Sequence, residues 1–155
     1  MIECFFEDGV QAQGGGLRHA VTDVLAFDQT GSKILLVKRS PDAFTAPNAW
    51  ALPGGYIDRD EKVVQAAERE FLEETGHTIK NKPLFLGFVD GPRQGEDRQN
   101  ISFIWLVEVG DKIQEHDQEE SEVKWWSLDD LPSKMAFDHL EIISRFKPQV
   151  EKYFR

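Results

Sequence analysis

A cluster of glutamates near the middle of the chain offers the clearest chemistry in the sequence. Residues 60–75 carry apolar side chains at helical spacing, and Gly76 is suited to end the helix. At 100° per residue, Glu70, Glu73 and Glu74 occupy an arc of about 100° on that helix. Like charges at this spacing repel one another, and the negative end of the helix dipole adds to the repulsion. The cluster therefore predicts either a solvated acidic face or a site for a cation.

The neighbouring residues favour the cation site over the solvated face. Arg69, the adjacent basic residue, projects about 100° away from Glu70 on an ideal helix, so we expect it to neutralise the cluster poorly. No histidine or cysteine lies among the glutamates. Carboxylate oxygens alone suit hard divalent cations such as Mg²⁺ or Mn²⁺ rather than Zn²⁺. We therefore predict a magnesium or manganese site on this helix.

The helix and the turn before it carry the spacing of a known motif. Five residues separate Gly55 from Glu61, and seven more separate Glu61 from the run Arg69-Glu70-Phe71-Leu72-Glu73-Glu74-Thr75-Gly76. This pattern resembles the box of the Nudix hydrolases and departs from it only at His77, where an aliphatic residue normally stands. The flanking segments WALPGG and WWSLDDLP are also similar to the family, so the resemblance covers residues 18–154.

The resemblance implies a set of metal ligands. Glu70 and Glu74 are expected to be the principal ones, with Glu73 as a further ligand or an outer partner. The carbonyl oxygen of Gly54 is expected to complete the site. Metal ions that bridge two phosphates would polarise the phosphoryl centre and lower the pKa of the attacking water.

Two further roles follow from the same resemblance. Glu61 is expected to pair with Arg69 and so to join the loop to the helix. The glutamate that takes the proton from water lies, in different Nudix enzymes, either in the box or in a loop before the last strand. That loop offers Glu119, Glu120 and Glu122, among which we favour Glu120; a solvated loop charge is the alternative for each.

The segments around the box bear on the substrate. Pro92 and the segment AFDHLEII at 136–143 resemble the ADP-ribose pyrophosphatase branch of the family. This resemblance implies Mg²⁺-dependent hydrolysis of ADP-ribose to AMP and ribose 5-phosphate. A pyrophosphatase acting on normal or oxidised nucleoside triphosphates is the alternative enzyme. A non-catalytic sensor that binds ADP-ribose is the alternative from another class, although such sensors often lose the box carboxylates, which this chain keeps.

Basic side chains near the predicted site are candidates for contacts with phosphate. Lys38 and Arg39 end a predicted strand that faces the PGG turn. Arg93, or else Arg98, offers a planar guanidinium of the kind that binds phosphate oxygens.

The aromatic side chains and His139 are candidates for different roles. Three aromatic residues are candidates for stacking on a base, although core packing is the commoner role: Trp50, Phe44 and Trp105. His139 is interpreted as part of a helix cap, with Asp138 at or near the N-cap, rather than as a catalytic residue.

Strands and helices must position all of these residues. Helices are predicted at 60–75 and 137–154, the second bent near Pro148, and an acidic loop at 111–122. Strands are predicted at 19–28, 33–39, 83–90, 101–109 and 123–128, and the segment 50–57 is predicted to be a short strand that runs into a Gly-Gly turn. This order predicts an α/β (α+β) sandwich, with a mixed β-sheet flanked by helices. We expect one domain over 1–155, in which residues 1–17 are an N-terminal extension and 18–154 the core.

Composition narrows the classes of partner. The 155 residues include 18 basic and 28 acidic side chains, for a net charge of −10. This balance argues against binding to nucleic acid or to an anionic membrane, and it does not exclude a small anionic ligand held through metal ions. The family resemblance implies that this ligand is a small-molecule nucleotide. Cys4 is the single cysteine, which fits a reducing, cytoplasmic compartment. Analogy with the ADP-ribose branch implies a homodimer.

Overall fold

The computed structural model describes residues 18–93 and 99–155. Its strands, in chain order, are β1 (Arg18–Phe27), β2 (Lys33–Arg39), β3 (Trp50–Ala51), β4 (Gly54–Tyr56), β5 (His77–Ile79), β6 (Leu84–Val89), β7 (Gln99–Lys112) and β8 (Glu120–Ser127). Helix α1 (Val63–Thr75) follows β4, and helix α2 (His139–Tyr153) follows β8. The predicted mixed sheet with flanking helices is confirmed. The expected N-terminal extension, Cys4 and Arg98 lie outside the described residues.

Strand β1 organises the sheet. It pairs in parallel with β7 along its whole length, from Arg18 opposite Gln99 to Phe27 opposite Glu108. On its other side it pairs antiparallel with β2 and with β4. Strand β2 also pairs with β3 and β8, whereas β7 also pairs with β5 and β6. As a result, the short strand β4 and the first residues of β8 are held on elements that are anchored to the centre of the sheet.

The two helices cover opposite faces of the sheet. Because side chains alternate along a strand, β1 contributes Val24 to one buried cluster and Leu25 to the other. The first cluster contains Phe71 of α1, and the second contains Phe146 of α2. Phe71 is fully buried, so α1 is fixed in rotation and its carboxylates emerge beside the buried face. No helix within the described residues is long and apolar enough to span a bilayer.

Several predicted boundaries were wrong. The segment at 50–57 forms two strands rather than one, because the chain turns at Pro53, whose carbonyl accepts a hydrogen bond from the backbone nitrogen of Val24 (2.8 Å). Strand β5 was missed altogether. The acidic loop is shorter than predicted, since β7 continues to Lys112 and β8 begins at Glu120. Helix α2 continues through Pro148 to its end at Tyr153.

Candidate active site

A cavity of about 680 Å³ opens on the described surface, between the start of β4, the side of α1, the start of β8 and the N-terminus of α2. Among the residues predicted for the site, six line this cavity: Arg39, Gly54, Glu70, Glu74, Arg93 and Glu120. Four others lie outside its lining: Lys38, Glu61, Arg69 and Glu73. The fold therefore gathers carboxylates and guanidinium groups from distant parts of the sequence at one opening.

Glu74 is the most enclosed of the acidic residues. It is 5% exposed, and its Oε2 accepts a hydrogen bond from the backbone nitrogen of Gly54 (2.9 Å). Burial raises the pKa of Glu74 well above its ordinary value, and the nearby carboxylates of Glu120 and Glu70 raise it further. Within the described residues, no basic side chain bonds to Glu74. A cation or a proton is needed to balance this group.

Two consecutive glycines let the backbone approach the carboxylates. A Cβ on Gly55 would lie 2.6 Å from the carboxylate carbon of Glu70, and a Cβ on Gly54 would lie 2.0 Å from the carbonyl oxygen of Thr22. The backbone contact leaves no room for a side chain at Gly54, and a side chain at Gly55 would displace the carboxylate of Glu70. Burial is the main cause of the raised pKa of Glu70, and a hydrogen bond from Arg69 opposes it.

Arg69 connects three glutamates and a backbone carbonyl. Its Nε donates to Glu61 Oε1 (2.7 Å), and its Nη2 donates to the carbonyl of Tyr56 (3.1 Å). Its Nη1 donates to Glu70 Oε1 (2.9 Å) and to Glu73 Oε2 (3.3 Å). The predicted Glu61–Arg69 pair is therefore present. The expectation that Arg69 neutralises the cluster poorly is wrong. The angular argument considers only the direction in which a side chain leaves the helix, whereas the long side chain of Arg69 reaches both Glu70 and Glu73.

The donor set suits a hard divalent cation, but the donors do not converge in the described conformation. Among residues 18–93 and 99–155, no three acidic, histidine or cysteine side chains are grouped closely enough to hold one ion. Glu70 is engaged by Arg69, and Glu74 by the nitrogen of Gly54. All the donors are nevertheless oxygens, as Mg²⁺ and Mn²⁺ prefer. Arg69 bonds to Oε1 of Glu70, and a carboxylate accepts on both oxygens, so Oε2 of Glu70 is the oxygen available to a cation in this conformation.

Glu120 differs sharply from the other two candidates for the proton acceptor. It is the first residue of β8, opposite Arg39, and is only 5% exposed, whereas Glu119 and Glu122 are exposed. Its Oε2 is buried and has no hydrogen-bond partner among the described residues. Burial raises the pKa of Glu120 to about 7, and the charge of Arg39 opposes that rise. Glu120 therefore lines the cavity with a buried carboxylate, on a strand rather than on the predicted loop.

The basic candidates separate into two groups. Arg39 lines the cavity and is held by Thr45, whose carbonyl accepts from its Nε at 2.9 Å. Arg93 also lines the cavity, with its Nη1 3.8 Å from Oδ1 of Asp138. Lys38 points elsewhere, with its Nζ 5.9 Å from the centre of the Trp50 ring. Arg39 and Arg93 therefore lie where a ligand in the cavity could contact them, whereas Lys38 does not, and the contacts with phosphate stay predictions.

Among the aromatic candidates, only Phe44 borders the cavity. Trp50 is buried and packs edge-on against Trp126, with ring centres 5.1 Å apart. Trp105 packs against Phe85 and belongs to the cluster around α1. Phe44 is 79% exposed on the loop after β2 and lines the cavity.

Sequence reasoning missed a buried polar group beside the cavity. His139 is 6% exposed; its Nδ1 accepts a hydrogen bond from the backbone nitrogen of Leu52 (3.0 Å), and its Nε2 lies 3.4 Å from Oδ1 of Asp23. Because Nδ1 is an acceptor, the ring proton is on Nε2, facing Asp23. Ser102 donates to the other oxygen of Asp23. The interpretation of His139 as part of a helix cap was wrong, while Asp138 does occupy the N-cap position without a side-chain capping bond. An aspartate among the apolar residues of β1 was the available signal.

The sequence was then compared with known families and structures. A model of the NUDIX domain matches residues 17–146. The chain belongs to the Nudix family. As a Nudix hydrolase it is an enzyme that acts on pyrophosphate bonds, and members of this family generally use divalent metals.

Similar Nudix proteins include one curated relative and two solved structures. The ADP-ribose pyrophosphatase of Methanocaldococcus jannaschii is 35% identical over 129 residues, which cover 83% of this chain and 73% of that protein. The NUDIX domain of Shewanella oneidensis NrtR, complexed with ADP-ribose, has a TM-score of 0.72 and 27% identity, covering 86% of this chain and 89% of that one. A bifunctional NMN adenylyltransferase/ADP-ribose pyrophosphatase from Francisella tularensis, complexed with AMP and a Mn ion, has a TM-score of 0.69 and 26% identity, covering 86% of this chain and 42% of that one.

Proposed function

We propose that this Nudix hydrolase cleaves ADP-ribose to AMP and ribose 5-phosphate with Mg²⁺, for which Mn²⁺ can substitute. The observation that carries the proposal is one cavity whose lining contains both carboxylates and guanidinium groups. Glu70, Glu74 and Glu120 face the same space as Arg39 and Arg93. Such an opening suits a pyrophosphate, whose charge is shared between bound cations and arginines.

The residues that would hold the metal are those of the box. Glu70 and Glu74 would be its principal ligands, together with the carbonyl of Gly54. Glu73 is half exposed and bonded to Arg69, which suits an outer partner better than a direct ligand. A bound cation would polarise the phosphoryl centre and make the attacking water more acidic.

Glu120 would take the proton from that water. A general base works best when its pKa lies near the working pH, and burial raises the pKa of Glu120 to about 7. As the water oxygen attacks one phosphorus, Glu120 accepts the proton and the bridging P–O bond breaks. Arg39, held in place by Thr45, would bind a phosphate oxygen. Arg93, which lines the same cavity, would bind another.

The choice of ADP-ribose is supported by the relatives. The Methanocaldococcus jannaschii protein is an ADP-ribose pyrophosphatase, and the Shewanella oneidensis domain was solved with ADP-ribose bound. A direct test incubates the protein with ADP-ribose and Mg²⁺ and separates the products chromatographically, with EDTA as the control. AMP and ribose 5-phosphate in equal amounts, abolished by EDTA, would support the proposal. Binding of ADP-ribose without turnover would contradict it and indicate a sensor.

A further inference from the structure

Phe137 adopts a backbone conformation that is unusual for a large side chain. Its φ angle is +53°, in the left-handed region that glycine and asparagine occupy far more readily. Residues in such conformations persist only where the surrounding structure imposes them, and they are concentrated at ligand-binding sites. Phe137 lies directly before the N-terminus of α2, at the rim of the cavity.

The residues on either side hold the backbone of Phe137 in this conformation. Ala136 is 1% exposed, and its nitrogen donates to the carbonyl of Trp50 (2.7 Å). His139 is anchored by Leu52, and its own nitrogen donates to the carbonyl of Ala136 (3.2 Å). With Ala136 and His139 both fixed, the backbone of the two residues between them is constrained.

The ring of Phe137 is itself held in place. The guanidinium carbon of Arg39 lies 5.2 Å from the centre of the ring, and Arg39 is bonded in turn to Thr45. The ring of His139 contacts it edge-on, with ring centres 5.3 Å apart. A ring fixed in this way loses little conformational entropy when a ligand packs against it.

Phe137 is nevertheless 46% exposed, and it lines the same cavity as Glu74 and Glu120. Phe44, 79% exposed on the loop after β2, borders that cavity too. A strained backbone that presents a fixed aromatic ring to solvent is unfavourable for the protein alone. The arrangement is explained if a flat apolar group covers the ring in the bound state.

We propose that Phe137 is the stacking platform for the planar base of the nucleotide, and that it contributes to the selection of base-bearing substrates. The inference rests on the proposed function in one respect, that the ligand is a nucleotide. The base would pack on Phe137 at the rim, while the pyrophosphate lies toward Glu70 and Glu74. Phe44 also lines the cavity, but within the described residues its ring has no aromatic or cationic neighbour comparable to those of Phe137.

The test compares the binding of two small phosphate esters by calorimetry in the presence of Mg²⁺. AMP and ribose 5-phosphate both carry a phosphate on ribose, but only AMP carries a planar base. We expect Phe137→Ala to weaken AMP binding by about 10-fold, since a base–aromatic stack contributes about that much, and to leave ribose 5-phosphate binding unchanged. Phe137→Leu keeps apolar bulk without a ring and should lose nearly as much AMP affinity. Phe88→Ala, which removes a 51% exposed phenylalanine outside the cavity lining, should bind AMP as wild type does.

Protein stability gives a second measurement. Because glycine accommodates a positive φ without strain, Phe137→Gly should melt at or above the temperature of Phe137→Ala. Unchanged AMP affinity in Phe137→Ala or in Phe137→Leu would overturn the inference, as would wild-type protein that binds AMP no better than ribose 5-phosphate. ADP-ribose hydrolysis is measured in parallel. If AMP binding depends on Phe137 but ADP-ribose is not hydrolysed, the proposed function is refuted and this inference is supported. If ADP-ribose is hydrolysed but AMP binding does not depend on Phe137, the proposed function is supported and this inference is refuted.

Discussion

The carboxylate of Glu74 is joined to the backbone nitrogen of Gly54 by a hydrogen bond of 2.9 Å. This bond connects the last turn of α1 to the first residue of β4, which in turn pairs with Asp23 of β1. The predicted metal ligands on the helix and in the glycine turn are therefore held in a fixed relation to the centre of the sheet. The arrangement accounts for a buried carboxylate at a position where a helix alone would expose it.

Replacement of Glu74 should separate activity from stability. We expect Glu74→Gln to lower kcat/KM for ADP-ribose by at least about 100-fold, because a metal ligand is lost. The same change removes a buried charge, so the melting temperature of metal-free protein at pH 8 should stay the same or rise. Glu68→Gln is the matched control, since Glu68 lies exposed on the same helix. Near-wild-type activity of Glu74→Gln at millimolar Mg²⁺ would refute the assignment.

The pH dependence of the rate tests the role of Glu120. The pKa of this carboxyl is raised to about 7, and only its ionised form accepts a proton. Activity of the wild type should therefore rise with pH to a plateau above about 7. In Glu120→Gln, kcat should fall by about 100-fold or more and should no longer depend on pH in this range. Glu122→Gln should keep the kcat and the pH dependence of the wild type. A loss of only a few-fold in Glu120→Gln would exclude Glu120 as the base.

Stability of the metal-free protein should fall as pH rises. Burial raises the pKa of Glu120 from 4.5 to about 7 in the folded state, so the folded protein binds a proton that the unfolded chain releases between these values. The stability due to this proton is complete below the unfolded pKa and is lost as pH rises through the folded pKa, by about 3 kcal/mol in total. Glu74 acts in the same direction, because its pKa is also raised. Chemical denaturation at pH 5, 6, 7 and 8 measures the trend, which Glu120→Gln should flatten.

Mg²⁺ should restore the stability that the metal-free protein loses as pH rises. A ligand that binds only the folded state stabilises it by about 2.7 kcal/mol at a concentration 100 times its Kd. We expect the melting temperature at pH 8 to rise with Mg²⁺ in wild type and to respond much less in Glu74→Gln. A melting temperature that is independent of Mg²⁺ in wild type would argue against a metal site on α1.

Arg39 and Lys38 make a matched pair on one strand. Arg39 faces the cavity and Lys38 does not, so Arg39→Ala should raise KM for ADP-ribose by about 10-fold or more, as expected for a lost charged hydrogen bond. Lys38→Ala should leave KM within about 2-fold of wild type, since Lys38 lies outside the cavity lining. Steady-state kinetics of the two variants test this difference. Equal increases in KM for Arg39→Ala and Lys38→Ala would show that position in the cavity does not determine the loss of substrate binding.

His139 should be important for stability. His139→Ala leaves the buried nitrogen of Leu52 without an acceptor and Asp23 with Ser102 but without His139, which we expect to lower the free energy of unfolding by about 2–3 kcal/mol. Asparagine places an oxygen near the position of Nδ1, so His139→Asn should recover part of the loss. Urea titration of the three proteins checks the order, and an alanine variant as stable as wild type would contradict it.

Periodic segments were predictable from the sequence because local pattern determines them. Helix α1 was predicted at 60–75 and is observed at Val63–Thr75, and β2 has the predicted bounds. Strand β8 begins with Glu120, Ser121 and Glu122, whose polarity is typical of a loop; its pairing with β2 is a tertiary effect that single-sequence reasoning does not include.

The candidate site was predictable to the extent that it follows a motif. The box placed Glu70 and Glu74 correctly beside the glycine turn, since helix and turn are adjacent in sequence. Burial of His139 against Asp23 joins residues that are 116 positions apart, and no local pattern reports it. The reach of Arg69 was misjudged because backbone periodicity does not describe how a long side chain bends.

The proposed function is tested most directly by the specificity constant for ADP-ribose within a panel of pyrophosphate compounds. The panel holds ADP-ribose, other ADP-sugars, NADH, diadenosine polyphosphates and normal and oxidised nucleoside triphosphates, at one Mg²⁺ concentration, with products identified by chromatography. The proposed function predicts the highest kcat/KM for ADP-ribose, with AMP and ribose 5-phosphate as products. A higher value for a triphosphate, with release of inorganic pyrophosphate, would contradict the substrate proposed here.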